Sequence, residues 1–507
     1  MTSPVATSTR RFAEWLSRDG WLHAVLVGLD AALLVLFLAA RDLPLVDLPQ
    51  HAAQIATWMR WDAHVPDVVG RFELNFRTPY LLAYPLARVL APLMGAVTAL
   101  KVVVWLAIIG NQWTLTTLAR RLGHDPWIGI FGLLTAVGLC FYFGFISFML
   151  AMPLAVGSLV LALAHAARPA WGLGLGLAAL LCSLLSAHGV AFAMGFGCVA
   201  ALLLRGGGSL VARLAPLGAP VALAVAWLMP GPISQRIGGD SWGLTARRLV
   251  DLPALLVGMG ATDHFAFALG SAVLAVSVYA LGSKLTRSAL RLLPLVGLLA
   301  GYVFFPAMFR GVVLLHTRLP CFLLPLVLLA LEPLARTNAL RQTRARAAIA
   351  GTAAVWLVAF VVRLIAFNRE AAEFHELEAR LPAGLAMRPL VFERNTRAFP
   401  GVPAYLHYSA YYYVEKGGRQ GYSFAMYPIS VVRLRPEVNV TMQGGAEWLP
   451  QLFRPEEVAG YDYFLVRSER DRAPELFGNA PVSLDAHVGS WWGYTKVTRQ
   501  ASRPEPP

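Results

Sequence analysis

The segment from Arg41 to His51, RDLPLVDLPQH, decides how the rest of the chain is read. It follows directly on an apolar run, about Trp21 to Ala40, of the length that crosses a bilayer. Two carboxylates, Asp42 and Asp47, and an imidazole, His51, therefore stand where the chain leaves the membrane. Asp-Leu-Pro-Gln is also the pattern of a helix start, with Asp47 as N-cap, proline in the first turn and glutamine three residues on. Capping and chemistry are compatible, so both readings of Asp47 stand.

The surrounding composition supports a membrane setting. Of 507 residues, 57% are hydrophobic and 14% charged, with a mean hydropathy of +0.57. Soluble domains carry charge on about a quarter of their residues, so the expected class is a polytopic α-helical membrane protein. About eleven apolar runs of spanning length follow one another up to residue 367, and none follows. This predicts a membrane domain over 1–367 and a C-terminal domain over 368–507. In the latter, the strand-like runs Arg388–Phe392, Tyr463–Arg467 and Tyr494–Val497 alternate with helical patterns, as in a small α/β domain. The turns between spans that the pattern places inside carry Arg or Lys, so the N-terminus is expected in the cytoplasm and the C-terminal domain outside. Two long outer loops result, 41–95 and 233–263. Within the first, His51–Trp61 has apolar residues at helical spacing and tryptophans, suited to a helix lying on the membrane plane.

The net charge of +14 belongs to arginines flanking spans. No basic run is interleaved with stacking aromatics, which argues against nucleic acid as a partner. Cys140, Cys182, Cys198 and Cys321 all fall inside spans with no metal-ligand spacing and read as small apolar residues. Within the membrane, Asp30 and the pair Asn111-Gln112 are the polar exceptions. An intramembrane carboxylate is a functional candidate by default, against the simpler reading that it bonds a neighbouring helix.

On the outer side several polar groups recur: Asp42, Asp47 and His51 in the first loop, then His188, Arg236, Asp240, Asp263 with His264, Arg310, His316 and Arg318. A carboxylate base and cationic groups for a phosphate are what group transfer to a hydroxyl needs. Each alone reads equally as a loop residue, and Arg318 could simply snorkel. A divalent metal (Mg or Mn) on Asp42, Asp47 and His51 is the one cofactor the pattern allows, although the spacing is not diagnostic. The tail segment Val402–Gly418 packs tyrosines around His407, which suits sugar or headgroup contact as well as a packed junction.

These features together resemble the GT-C superfamily of membrane glycosyltransferases: many spans, an acidic first outer loop, interfacial helices after it and an outer C-terminal domain. The Asp-x-Pro-x-His-like loop, the turn Gly144-Phe-Ile-Ser-Phe148 and the turn Ser186-Ala-His188 resemble those of poorly characterised bacterial GT-C-like proteins. The resemblance implies an inner (plasma) membrane enzyme that moves a sugar from a polyprenyl-phosphate-linked donor to a glycan, lipid or protein acceptor. It assigns the base or metal-ligand role to Asp47, with Asp42 second, and donor-phosphate binding to Arg310 or Arg318. Trp491-Trp492-Gly493 lacks the aspartate of the oligosaccharyltransferase WWD motif, which argues against asparagine glycosylation. A transporter or lipid flippase, using Asp30 and Asn111-Gln112, and a non-catalytic scaffold are the alternatives from other classes.

Overall fold

The computed structural model describes residues 20–228, 241–242, 245–309, 312–334, 338–438 and 448–497. Among the described residues, seven helices are long and apolar enough to cross a bilayer: Trp21–Ala39, Ala96–Leu122, Pro126–Phe143, Ile146–Ala167, Leu210–Trp227, His264–Leu281 and Ala339–Arg380. Four shorter apolar helices, Trp171–Ala187, Gly189–Arg205, Ala289–Phe304 and His316–Ala330, accompany them. They occupy the eleven places that the hydropathy pattern assigns to spans. The third is interrupted at Val137-Gly138, where the backbone leaves the helical region.

The last helix has 42 residues. At 1.5 Å per residue it is roughly 60 Å long, twice the hydrocarbon thickness of a bilayer. It runs without interruption through residues 367 and 368, where the sequence pattern places the domain boundary, and continues to Arg380 as the stalk of the C-terminal part. Beyond it lies a five-stranded sheet in the order Arg419–Gln420, Ala386–Val391, Tyr463–Arg467, Trp491–Lys496, Val482–Val488. The first three strands are parallel and the last two antiparallel to their neighbours. Ala386–Val391 and Tyr463–Arg467 are buried along their whole length, which is why their apolar runs do not alternate.

The first loop is woven into this C-terminal part. Its short strand Phe72–Leu74 pairs antiparallel with Val432–Leu434. The helix Leu48–Asp62 is buried from Leu48 to Gln50 and from Ala52 to Trp58. Its polar face meets protein: Gln54 exchanges two 2.9 Å hydrogen bonds with the Val432 backbone, and Arg60 donates to the carbonyls of Tyr413 and Val414. The sequence pattern of a membrane-surface helix therefore describes a connector buried between the bundle and the C-terminal part.

Inside the bundle, Asp30 accepts from Gln112 at 2.8 Å and from the Trp113 indole at 2.7 Å. Asn111 donates to the Gly132 carbonyl at 2.8 Å. The Asp30 carboxylate is thus bonded between helices, the simpler of its two sequence readings, while Gln112 Oε1 is left without a partner.

Gly144 is where the bundle receives the first loop. Its φ of +76° is left-handed, and a Cβ there would lie 2.9 Å from the Asp47 nitrogen. Gly144→Ala is expected to destabilise the detergent-solubilised protein by ~1–3 kcal/mol, through backbone strain and displacement of the loop. Thermal unfolding checks it; a wild-type midpoint would contradict this docking.

Candidate active site

Asp47 opens the helix Leu48–Asp62, yet its side chain makes no capping hydrogen bond. Its backbone (φ −90°, ψ −6°) is already in the helical region, whereas a capping residue is typically extended. Pro49 lacks the N–H that the second helical position would offer. Gln50, the other half of the apparent capping box, reaches away: its Nε2 donates to the Tyr422 carbonyl at 3.3 Å, and its Oε1 accepts from the Phe424 N–H at 3.1 Å. Asp47 is instead positioned through its backbone. The N–H groups of Val46 and Asp47 donate to the Tyr142 and Phe143 carbonyls at 2.9 and 3.0 Å.

Two imidazoles flank the carboxylate. His51 Nδ1 lies 2.7 Å from the Tyr84 hydroxyl and Nε2 lies 3.2 Å from the Gly144 carbonyl. Only one tautomer satisfies both, with the proton on Nε2 and the phenol donating to Nδ1. His407, stacked on Tyr422 with ring centres 5.2 Å apart, places Nε2 at 3.6 Å from Asp47 Oδ1. That is too long for a hydrogen bond. Burial sets all three protonation states. It pushes Asp47 up to about 7, opposed by the charge of Arg318. It pushes His51 down to about 4 and His407 down to about 3. Near neutrality both imidazoles are therefore neutral while Asp47 is half ionised.

The cation that Asp47 senses is Arg318. The guanidinium lies on the Phe145 ring, its carbon 3.7 Å from the centre, and donates to the Val313 carbonyl at 2.9 Å. The residue is 7% exposed. Among the described residues it forms no ion pair, and its Nε has no hydrogen-bond partner. Its Nη1 stands 3.3 Å from His188 Nε2, while His188 Nδ1 faces the Val190 N–H at 3.2 Å. Burial, aided by the Arg318 charge, holds His188 well below its usual range, and a neutral imidazole has one acceptor nitrogen. It can accept from Val190 or from Arg318, so the guanidinium keeps donors to spare. A buried cation without a counter-ion is costly, and such a fork suits an oxyanion.

About one and two turns beyond Arg318, Phe322 and Leu326 line a narrow apolar groove with Val156, Leu159, Met194 and Cys198. Phe148 joins the two levels, 4.8 Å from His188 and 5.7 Å from Phe322 between ring centres. The turns Gly144–Phe148 and Ser186–His188 thus meet the first loop at one corner, and the Leu82 N–H donates to the Ser186 carbonyl at 3.0 Å.

Asp42 stands apart. Its Oδ2 is 2.7 Å from His375 Nε2, and His375 Nδ1 is 3.1 Å from Glu378 Oε2. Asn368 adds a reciprocal pair of bonds to the Asp42 backbone, and Lys101 donates to the carbonyls of Ala40 and Arg41. Asp42 fastens the first loop to the long helix. Among the described residues no group of three or more His, Cys, Asp or Glu could hold a metal ion. Asp42 is engaged by His375, and both nitrogens of His51 are taken. The expected Asp42–Asp47–His51 set does not fit a divalent metal. His316, two residues before Arg318, packs beside Tyr302, and its Nδ1 has no partner. Arg236, Asp240 and Arg310 lie outside the described residues. The tail tyrosines 405, 408 and 411 to 413 are buried and form the packed junction. Tyr84, Phe145 and His375 were not singled out from the sequence. The Gly-Phe-x-x-Phe turn was the visible signal for Phe145, and nothing local marks the other two.

No protein-family model and no curated protein sequence matches the chain. Solved structures that match it in fold include two of one protein. One is ArnT from Cupriavidus metallidurans in the apo state, with a TM-score of 0.57 and 13% identity, covering 95% of this chain and 98% of that one. The other is the same protein bound to undecaprenyl phosphate, with a TM-score of 0.55 and 12% identity, covering 95% and 99%. The chain therefore shares the fold of that protein over 95% of its length.

The Asp42–His375 pair has a structural consequence. Asp42→Leu leaves His375 buried without this partner and is expected to cost ~3–5 kcal/mol in unfolding free energy. The double variant Asp42→Leu/His375→Phe should regain part of it. Wild-type unfolding of Asp42→Leu together with lost activity would instead put Asp42 in the chemistry.

Proposed function

We propose that the chain is a GT-C-type glycosyltransferase that takes a sugar from a polyprenyl-phosphate carrier. The observation that carries this reading is the corner just described. It joins a desolvated carboxylate with a pKa near 7 to a guanidinium that is buried and, among the described residues, without a counter-ion; a small apolar groove lined by Phe322 and Leu326 lies further along the same segment. The fold match to a protein solved with undecaprenyl phosphate supports the same ligand class.

In this reading the donor phosphate lies on Arg318 and the prenyl chain follows the Phe322–Leu326 groove. The acceptor hydroxyl attacks the anomeric carbon, and the bond from that carbon to the phosphate oxygen breaks. The polyprenyl phosphate leaves with the bonding electron pair. Asp47 takes the acceptor proton, and Arg318 balances the charge that grows on the leaving oxygen. His407 and His51, neutral and fixed, shape the pocket without competing for the proton. The acceptor is a glycan, lipid or protein. The clusters Arg120-Arg121 and Arg341, Arg344 and Arg346, at the end of the bundle away from Asp47, support a cytoplasmic placement of that end. The C-terminal part would then face the periplasm or exterior of an inner (plasma) membrane.

Transfer from a polyprenyl-phosphate sugar is the assay. Only ionised Asp47 serves as base, so kcat/KM is expected to fall about tenfold per pH unit below about 7 and to level off above it. Asp47→Asn should abolish transfer while the protein still inserts and unfolds normally. Arg318→Ala should lower kcat/KM about 100-fold or more, and Arg318→Lys should restore little, because it loses the flat contact with Phe145. A fully active Asp47→Asn would sink the proposal.

A further inference from the structure

A second polar site lies in the C-terminal part. The strands Ala386–Val391 and Tyr463–Arg467 run parallel, with Val391 beside Arg467. Ligands of such sheets bind outside the carboxyl ends of the parallel strands. At this edge the chain opens a cleft of about 580 Å³, within the ~300–1,000 Å³ of small-molecule sites.

Arg467, 4% exposed, lines its base. The guanidinium lies 3.8 Å from the centre of the Tyr405 ring and is held by Glu370 at 3.1 Å, while its Nε has no partner. Thr396 donates to the same Glu370 at 2.7 Å. On the walls, Arg394 donates to the Trp448 carbonyl at 3.2 Å and lies 5.3 Å from that ring's centre. Arg397 is exposed. Among the described residues neither Arg394 nor Arg397 pairs with a carboxylate. Asn395, Gln451, Glu393 and Glu469 complete the lining with amide donors and carboxylate acceptors.

Two unpaired guanidinium groups call for negative charge on the ligand. The amides, carboxylates and an indole call for hydroxyls on a ring with an apolar face. We propose that this cleft binds an acidic oligosaccharide, its sugar carboxylates or phosphates on Arg394 and Arg397 and its hydroxyls on Asn395, Gln451 and the glutamates. The proposal rests on the transferase reading only in making that glycan the acceptor, since binding is measured without turnover.

The test is calorimetric titration of the full-length protein in lipid nanodiscs with trigalacturonic acid, and with maltotriose as the neutral probe. The acidic probe is expected to bind at least about tenfold more tightly, and Arg397→Glu to weaken it about tenfold or more. Among the described residues that side chain makes no hydrogen bond, so its replacement is expected to leave the fold intact even if Arg394→Ala does not. Asp47→Asn should bind the probe as the wild type does. Equal affinity for the two probes, no binding of either, or an Arg397→Glu titration identical to wild type overturns the proposal. Should Asp47-dependent transfer persist in that event, only the cleft assignment fails.

Discussion

Everything at the proposed catalytic corner depends on keeping two opposite charges, both largely withdrawn from water, near each other without letting them join. Arg318 and Asp47 interact but form no ion pair. The separation is imposed from outside the pair: Phe145 carries the guanidinium, and the Tyr142 and Phe143 carbonyls fix the backbone around Asp47. Contact would hold the carboxylate permanently ionised and cancel the cation. Separation leaves a base with a pKa near neutrality and a cation open to an anion. The arrangement costs stability. A carboxyl that keeps its proton in the folded state up to about pH 7, but loses it near pH 4 when unfolded, makes the fold less stable as pH rises through that interval.

The same corner explains why the C-terminal part cannot be treated as an appendage. Gln50 and Gln54, on the helix that Asp47 opens, are bonded to residues 422–432. His407 comes from that part to stand beside Asp47. The helix that supports it also supplies His375 to Asp42. Rigid attachment on both sides gives the first loop the fixed geometry that a long surface loop would lack.

How much of this was legible in the sequence follows from the range of each interaction. Span-length apolar runs and their flanking arginines are local signals, and they placed the eleven helices. The buried strand at 463–467 was legible from its continuous apolar run Tyr463–Val466, whereas in 386–391 the run is broken by Arg388. The roles of the two first-loop aspartates were not. Asp42 is defined by a histidine 333 residues away, and Asp47 by a guanidinium from the tenth apolar segment. The Asp-Leu-Pro-Gln pattern pointed to capping, but the backbone of Asp47 is already helical and Gln50 is drawn off by the C-terminal part. Asp42 and His51, close to Asp47 in sequence, likewise take their partners from elsewhere in the fold. Proximity in sequence did not survive partners supplied from elsewhere in the fold.

The central claim is that Arg318 and the groove beneath it receive a prenyl-phosphate lipid in front of Asp47. The most direct measurement is a density map of the protein in nanodiscs containing undecaprenyl phosphate. The claim requires phosphate density within hydrogen-bond distance of the Arg318 guanidinium and chain density running past Phe322 toward Leu326. Lipid bound elsewhere, with Arg318 unoccupied and that groove closed, would contradict it.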